Sequence, residues 1–204
     1  MAVNDFNFIA PFYDVLARIV FGNAILKAQT THLSEINEND QVLILGGGTG
    51  KLLEHIPFCD RVDYVEKSEK MIRIAKRRLV NRSVNFVNHD FLNWKSATTY
   101  DVIVCPFFLD CFDEQSLNTV IIKAKELLGT DGMLIVADFD KRSINIFMLH
   151  SMLIFFKWFS NLETTKLLDL RTFLLKNDFQ ENEIQLYKKG IFSALYSPVS
   201  KRKP

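Results

Sequence analysis

Short apolar segments alternate with helical patterns along most of this chain, and that alternation restricts the fold more than any other feature of the sequence. Between the segments, apolar residues recur at helical spacing, and Ser68 and Asp113 are placed to cap two of the helices. Strands that alternate with helices form a mostly parallel sheet, so the sequence predicts an α/β fold. The five candidate strands are QVLIL (41–45), VDYVE (62–66), VNFVNHD (84–90), YDVIVCPFF (100–108) and GMLIVADF (132–139).

The end of the chain follows a different pattern. Residues 164–179 are amphipathic and predict a late helix, and the segments EIQLYKK and IFSALYSPV, joined around Gly190, predict a β-hairpin. We also expect a helix directly after the first strand, with Leu52, Leu53 and Ile56 facing inward, and a helix that ends at Gly129. Ligands of such sheets bind at the carboxyl ends of the strands. The sequence therefore directs attention to residues 46–50, Glu66, Asp90 and residues 106–111.

The glycine turn after the first strand, LGGGTGKLL, is compatible with few kinds of nucleotide site. A P-loop is disfavoured, because its spacing is one residue longer and Leu52 stands where a Ser or Thr must follow the lysine. A dinucleotide fingerprint fits Gly46 and Gly48, but Lys51 occupies its third small position. The form GxGxG, with Gly46, Gly48 and Gly50, lets main chain approach a nucleoside and an amino-acid tail without a phosphate.

Two acidic residues end the next strands. Glu66 lies 20 residues after Gly46, where a carboxylate can accept hydrogen bonds from both ribose hydroxyls, as it also does in NAD sites. Asp90 can accept from an exocyclic adenine amine, and Phe91 beside it can pack on the ring. Each of them is also compatible with an ordinary strand-end, turn or capping residue.

The successive segments VLILGGGTG, VDYVEKSEKMIRIAK, VNHDF, YDVIVCPFFLDCF and LLGTDGMLIVADF resemble, in order and spacing, the motifs of class I S-adenosylmethionine-dependent methyltransferases. The resemblance covers about residues 40–140, and the ending LLKNDFQENEIQLYKKGIFSALYSP is similar to the last helix and hairpin of that fold. It implies a three-layer, Rossmann-like methyltransferase fold with a seven-stranded, mostly parallel sheet and an antiparallel last strand. It also implies S-adenosylmethionine as cofactor, with no metal site. The expected cofactor contacts are Gly46, Gly47, Gly48, Thr49, Gly50, Glu66, Lys67, Asp90, Phe91, Pro106 and Phe107.

One position departs from the family pattern. Such enzymes commonly carry an acid two residues before the first glycine, where it helps to hold the methionine amino group, and this chain has Ile44 there. The methionine end would then be held by the main chain of the glycine turn, by Asp110 or by the N-terminal segment.

The N-terminal segment, residues 1–40, is aromatic-rich, and we expect it to form a helical lid on the domain of residues 41–204. Its APFYD run is similar to the opening segment of methyltransferases of the quinone-biosynthesis type. We expect Tyr13 and Asp14 to close over the cofactor, and Phe107, Phe108 and Tyr13 to offer aromatic faces to a sulfonium. A helix simply packed on the sheet is the alternative.

An apolar insertion follows the fifth strand at residues 141–163. Its run INIFMLHSMLIFFKWF (144–159) is too short and too interrupted to span a membrane. On a helix, His150 and Lys157 would share a face, and His150 is a candidate general base. Tyr13 and Asp110 are the other two candidate catalytic residues. A lone histidine among apolar residues is, however, more often a core residue. The many apolar residues favour a lipophilic acceptor, a dimer contact or peripheral contact with a membrane surface.

Composition limits the partners. Lys plus Arg number 25 and Asp plus Glu 24, so no strong field favours nucleic acid, and CPFFLD lacks the polar first residue and second proline of enzymes that methylate nucleobases. Three cysteines without CxxC spacing argue against a disulfide framework and a structural zinc site. Because the sequence shows no secretory signal pattern, we expect a cytoplasmic protein. We also expect it to act on a small molecule, and a homodimer is possible.

Three functions remain open from the sequence. The first is a methyltransferase that transfers a methyl group by in-line displacement to a small, lipophilic acceptor. The second is a non-catalytic binding module on the same fold, motivated by Ile44. The third is a nicotinamide-dependent oxidoreductase, which Lys51 disfavours.

Overall fold

The computed structural model describes residues 13–78, 83–144 and 167–199. Its helices are α1 (Tyr13–Phe21), α2 (Ala24–Thr30), α3 (Glu69–Arg78), α4 (Glu114–Leu127) and α5 (Leu170–Lys176), with short 3-10 helices at Leu33–Glu35, Lys51–Glu54 and Leu109–Cys111. Its strands are β1 (Gln41–Leu45), β2 (Arg61–Glu66), β3 (Asn85–Asn88), β4 (Tyr100–Pro106), β5 (Leu128–Phe139), β6 (Phe179–Tyr187) and β7 (Ile191–Pro198).

The described strands form one seven-stranded sheet in the order β3-β2-β1-β4-β5-β7-β6. β1 to β5 pair in parallel, and β7 lies antiparallel between β5 and β6. This arrangement confirms the α/β class, the mostly parallel sheet and the antiparallel last strand. The order reverses at β1, from which β2 lies on one side and β4 on the other, and β1 carries the glycine turn at its carboxyl end. A ligand site is expected at such a switch point.

Apolar residues cover both faces of the sheet. Along β1, Leu43 and Leu45 pack into the cluster that includes α4 and α5, while Val42 and Ile44 pack into the opposite cluster with Leu52. This alternation follows from the two-residue period of a strand. Both faces are buried because helices lie on both, which explains why the strands are continuously apolar. Ile44 itself is fully buried in this core.

Side chains cap three of the described helices at their N-termini. The Met71 amide donates to Ser68 Oγ at 3.2 Å, and the Ser116 amide donates to Asp113 Oδ1 at 2.7 Å. Both caps confirm the expectation from the sequence. Asp169 does the same for α5, accepting from the Thr172 amide at 3.2 Å.

Three local predictions were wrong in detail. Only a 3-10 turn follows the glycines, since Pro57 lies too close for an α-helix to develop, although Leu52, Leu53 and Ile56 are buried as expected. Gly129 does not end α4; the helix ends at Leu127, and β5 begins at Leu128 because those residues already pair with β4. The late helix is only the seven residues of α5, capped by Asp169.

Most of the predicted insertion at 141–163, including His150 and Lys157, lies outside the described residues. None of the helices in the described part of the chain has the length and apolar content that crossing a bilayer requires.

Candidate functional site

A cavity opens where the carboxyl ends of β1, β2, β3 and β4 meet. It encloses about 770 Å³ with its open mouth included. The residues around it come from every one of these strand ends and from α3: Gly46, Gly48, Val65, Glu66, Lys67, Met71, His89, Asp90, Phe91, Phe107, Phe108, Cys111 and Phe112.

The glycine turn can exist only without side chains at several positions. Gly46, Gly48 and Gly50 all have positive φ angles, of 64°, 61° and 76°. A Cβ at Gly46 would lie 2.4 Å from the Phe108 ring, and one at Gly47 would lie 2.4 Å from the Tyr64 ring. At Gly48 a Cβ would meet no atom within 4 Å, so this residue presents bare main chain to open space. The Tyr64 hydroxyl fixes the turn by donating to the Gly48 carbonyl at 2.8 Å.

Glu66 joins this turn to the end of β2. Its side chain is 8% exposed, and its two oxygens accept from the Gly48 amide at 3.1 Å and the Ser68 amide at 2.8 Å. Burial raises the pKa of Glu66, while the backbone hydrogen bonds act in the opposite direction. Each oxygen keeps a lone pair, so the carboxylate can still accept hydrogen bonds from a ligand hydroxyl.

Asp90 lies across the cavity from the glycines, at the end of β3. Lys67 Nζ donates to its Oδ2 at 2.8 Å, and the Leu92 amide donates to its Oδ1 at 3.1 Å. Burial alone would raise the pKa of Asp90, but the Lys67 ammonium and the Leu92 amide together lower it. Asp90 is therefore an ionised acceptor at neutral pH.

Aromatic side chains form the remaining wall. Phe107 has a φ of 56°, and its amide donates to the Ala137 carbonyl at 2.6 Å, which turns the chain sharply after β4. The Phe108 ring stands edge-on to Phe91 at 6.0 Å and to Phe112 at 5.0 Å. The wall is thus a packed aromatic cluster that presents ring faces and edges to the cavity.

Behind this wall lie two neighbouring acids, the buried Asp138 and the partly buried Asp110. Asp138, on β5, is fully buried, and its Oδ2 accepts from the Leu109 amide at 3.1 Å and the Asp110 amide at 3.3 Å. Burial raises the pKa of Asp110 to about 7; burial and the nearby Asp110 carboxylate raise that of Asp138 well above its ordinary value. Asp138 was not anticipated from the sequence, because only the sheet pairing brings it beside the turn after β4.

A second cavity lies on the other side of the glycine turn, under the N-terminal helices. Residues 46–48 and Phe107 border it together with Asp14 and Arg18 of α1. Asp14 is tied to the turn because Thr49 Oγ1 donates to its Oδ1 at 2.7 Å, and Arg78 of α3 pairs with its other oxygen. Asp14 therefore lies over the glycine turn, as a lid residue would.

The structure brings most of the predicted site residues together. Gly46, Gly48, Glu66, Lys67, Asp90, Phe91 and Phe107 line the first cavity, and Gly47, Thr49 and Pro106 line the second. Gly50 lines neither, since it faces Ala75 of α3. Their role as cofactor contacts stays a prediction.

Of the three candidate catalytic residues, only Asp110 has a side chain that the structure describes. Asp110 lines neither cavity, and its Oδ2 is buried without a hydrogen-bond partner. The side chain of Tyr13, like all of His150, lies outside the part of the chain that the structure describes. The residues that the site prediction missed include Met71 and Arg18, of which Met71 had a signal in the sequence as part of the inward face of α3. Cys111 was not among the expected cofactor contacts, but it belongs to the strand end at residues 106–111 that the sequence indicated.

Comparison with known proteins indicates which kind of domain carries this site. Residues 42–132, which hold the glycine turn and β1 to β4, match the family model described as a methyltransferase domain. This part of the chain is similar to methyltransferase domains. Domains of this class use S-adenosylmethionine as cofactor, and the resemblance noted in the sequence is confirmed.

Curated relatives of two kinds match parts of the chain. An uncharacterized methyltransferase of Bacillus cereus (strain ZK / E33L) is 32% identical over 98 residues, which is 48% of this chain and 46% of the relative. A polyamine aminopropyltransferase of Prochlorococcus marinus (strain MIT 9312) is 25% identical over 181 residues, which is 79% of this chain and 57% of the relative. The chain thus spans about half the length of these curated relatives.

Solved structures share the fold over nearly the whole chain. A DhpI complex with SAH has a TM-score of 0.74 at 16% identity and covers 96% of this chain and 94% of its own. An S-adenosylmethionine-dependent methyltransferase from Clostridium acetobutylicum ATCC 824 has a TM-score of 0.72 at 12% identity, with coverages of 95% and 100%. At these identities the likeness shows the methyltransferase fold alone.

Proposed function

We propose that this chain is an S-adenosylmethionine-dependent methyltransferase that acts on a small, apolar acceptor by in-line displacement. The observation that carries the proposal is Glu66, a buried carboxylate at the end of β2 that is hydrogen-bonded to the main chain of the glycine turn and lines an open cavity. The bound cofactor supplies a methyl group already activated on a sulfonium.

The residues around the cavity fit that cofactor. Glu66 has acceptor capacity for ribose hydroxyls, and Asp90 is an ionised acceptor suited to an amine on a purine edge. Gly48 offers main chain with open space in front of it, where a side chain would intrude. Phe91 and Met71 provide apolar walls for a ring.

The chain's own contribution to the reaction is alignment and exclusion of water. Phe107, Phe108 and Phe112 border the cavity with apolar surface, and their rings can stabilise a nearby sulfonium by about 0.5–2 kcal/mol. Positioning of two reactants in a dry cavity accounts for a large part of such a rate enhancement. The aromatic lining also supports the choice of an apolar acceptor.

Binding of S-adenosylhomocysteine, measured by calorimetry, tests the proposal. Glu66→Gln should raise the dissociation constant about 10- to 30-fold, because two hydrogen bonds of about 1 kcal/mol each are weakened. Glu69→Gln is the matched control, since Glu69 is an exposed acid three residues away that pairs with Arg73 on the same helix. No heat at millimolar ligand with the wild-type protein would refute the proposal, and competition by NAD at the same site would favour the oxidoreductase.

The non-catalytic module is the second candidate, favoured by the buried Ile44 where the family commonly has an acid. Transfer of a labelled methyl group to any member of an acceptor panel would exclude it. Tight binding of the cofactor with no transfer across the panel would support it.

A further inference from the structure

The second cavity carries a charge pattern that the proposed methyl transfer has not used. It shares Gly46, Gly48 and Phe107 with the first cavity, so the two meet at the glycine turn. The ionic side chains that border it are Asp14, Arg18 and Lys51, and the amides of Asn23 and Gln29 complete its polar lining.

Asp14 and Arg18 are one helical turn apart on α1, a spacing at which opposite charges ordinarily pair. They do not pair here, because Asp14 is held by Thr49 and Arg78 instead. Arg18 forms no ion pair with any other residue in the described ranges. The lining of the cavity therefore holds two cations, Arg18 and Lys51, against the single carboxylate of Asp14, an excess of positive charge that suits a carboxylate.

The position of this charge relative to the first cavity defines the ligand group. A nucleoside held at Glu66 and Asp90 would occupy the first cavity, and a substituent that passes the glycine turn would enter the second. The substituent of an adenosine-linked sulfonium or thioether is an α-amino acid, with one carboxylate and one ammonium. Arg18 matches the carboxylate, and the Asp14 carboxylate lies within the same cavity for the ammonium.

We propose that α1 recognises the amino-acid end of the cofactor, with Arg18 pairing to its carboxylate, so that a cofactor lacking that carboxylate is discriminated against. This inference rests on the proposed function and deepens it. It also explains how the chain can bind the amino-acid end without an acid at position 44, because Asp14 and Arg18 of α1 lie next to the glycine turn.

The experiment is a cycle of two ligands and two proteins, measured by calorimetry. S-adenosylhomocysteine and its decarboxylated analogue are titrated into the wild-type protein and into Arg18→Gln. The wild type should prefer the intact ligand about tenfold or more, since charge-assisted hydrogen bonds are the strong ones. In Arg18→Gln this preference should fall to about twofold, while affinity for the decarboxylated ligand stays unchanged.

Lys27→Gln is the matched control, because Lys27 is an exposed cation on α2 that lines neither cavity. It should leave the preference at its wild-type value. A preference unchanged in Arg18→Gln, or an equal loss of affinity for both ligands, would overturn the inference. If neither ligand binds the wild type at all, the failure belongs to the proposed function instead.

Discussion

At the scale of single residues, the glycines of the turn at residues 46–50 do not all have the same role. Gly46 and Gly47 make room for the rings of Phe108 and Tyr64. Gly50 allows close packing of α3, because a Cβ there would lie 2.8 Å from the Cα of Ala75. Gly48 faces open space on the cavity side. One motif thus combines a packing requirement with a ligand-binding requirement.

Substitutions at two of these positions separate the requirements. Gly50→Ala should lower the free energy of unfolding by about 2–4 kcal/mol, because a left-handed φ and a contact with helix backbone add together. Gly48→Ala should lower it by about 1 kcal/mol, from the left-handed φ alone. Urea unfolding measures both.

The effect of the two substitutions on ligand affinity should be the reverse of their effect on stability. Gly48→Ala places a methyl group in the space where the cavities meet, so its affinity for S-adenosylhomocysteine should fall further than its stability does. Equal losses of stability in the two variants would contradict this division of roles.

At the scale of elements, α4 supports the cavity from behind. Lys123 Nζ donates to the carbonyls of Phe91 at 2.5 Å, Leu92 at 3.2 Å and Trp94, and it lies 4.8 Å from the centre of the Phe91 ring. One ammonium therefore satisfies three carbonyls of the turn that follows β3. That turn also carries Asp90, so its shape sets one wall of the proposed site.

Lys123→Met should loosen this wall. We expect the variant to lose about 1–3 kcal/mol of stability and to bind S-adenosylhomocysteine several-fold more weakly, because three carbonyls lose their donor. Lys125→Met is the control, since Lys125 donates to the Asn177 carbonyl at 3.0 Å and pairs with Asp178, neither of which lines the cavity. Thermal unfolding and calorimetry on both variants should show stability losses in each but an affinity loss only in Lys123→Met.

At the scale of the whole molecule, buried acids tie stability to pH. The Asp110 carboxyl has a folded pKa of about 7 against an ordinary value of 3.8, with burial as the main cause, and the raised pKa of Asp138 acts in the same direction. The folded state therefore binds more protons than the unfolded state between these two pH values. For Asp110, this stabilisation is fully present below about pH 4 and is lost as the pH rises through about 7.

The wild-type free energy of unfolding should accordingly be lower at pH 8 than at pH 5. Asp110→Asn should reduce this difference by about 1–3 kcal/mol, because its amide does not ionise and Asp138 then loses a charged neighbour. Urea unfolding at both pH values provides the measurement. A difference as large in the variant as in the wild type would show that Asp110 ionises normally in the folded protein.

The sequence was sufficient for the architecture and for much of the site. The apolar segments, the caps at Ser68 and Asp113 and the hairpin around Gly190 are local signals, each written within a few neighbouring residues. The turn at residues 46–50 and the acids at 66 and 90 could be assigned to one edge because parallel strands end together.

Tertiary structure alone decided how that edge is completed. Asp14 reaches Thr49 and Arg78 across 35 and 64 residues of sequence, and Lys123 reaches the turn after β3 across about 30. Asp138 meets the Asp110 amide only because β5 pairs with β4. Such contacts have no periodicity or spacing in the chain, because packing of one element against another selects them. For this protein, the alternation of strands and helices and the glycine turn follow from local sequence, while the charges around its second cavity follow from how the N-terminal helices pack on the sheet.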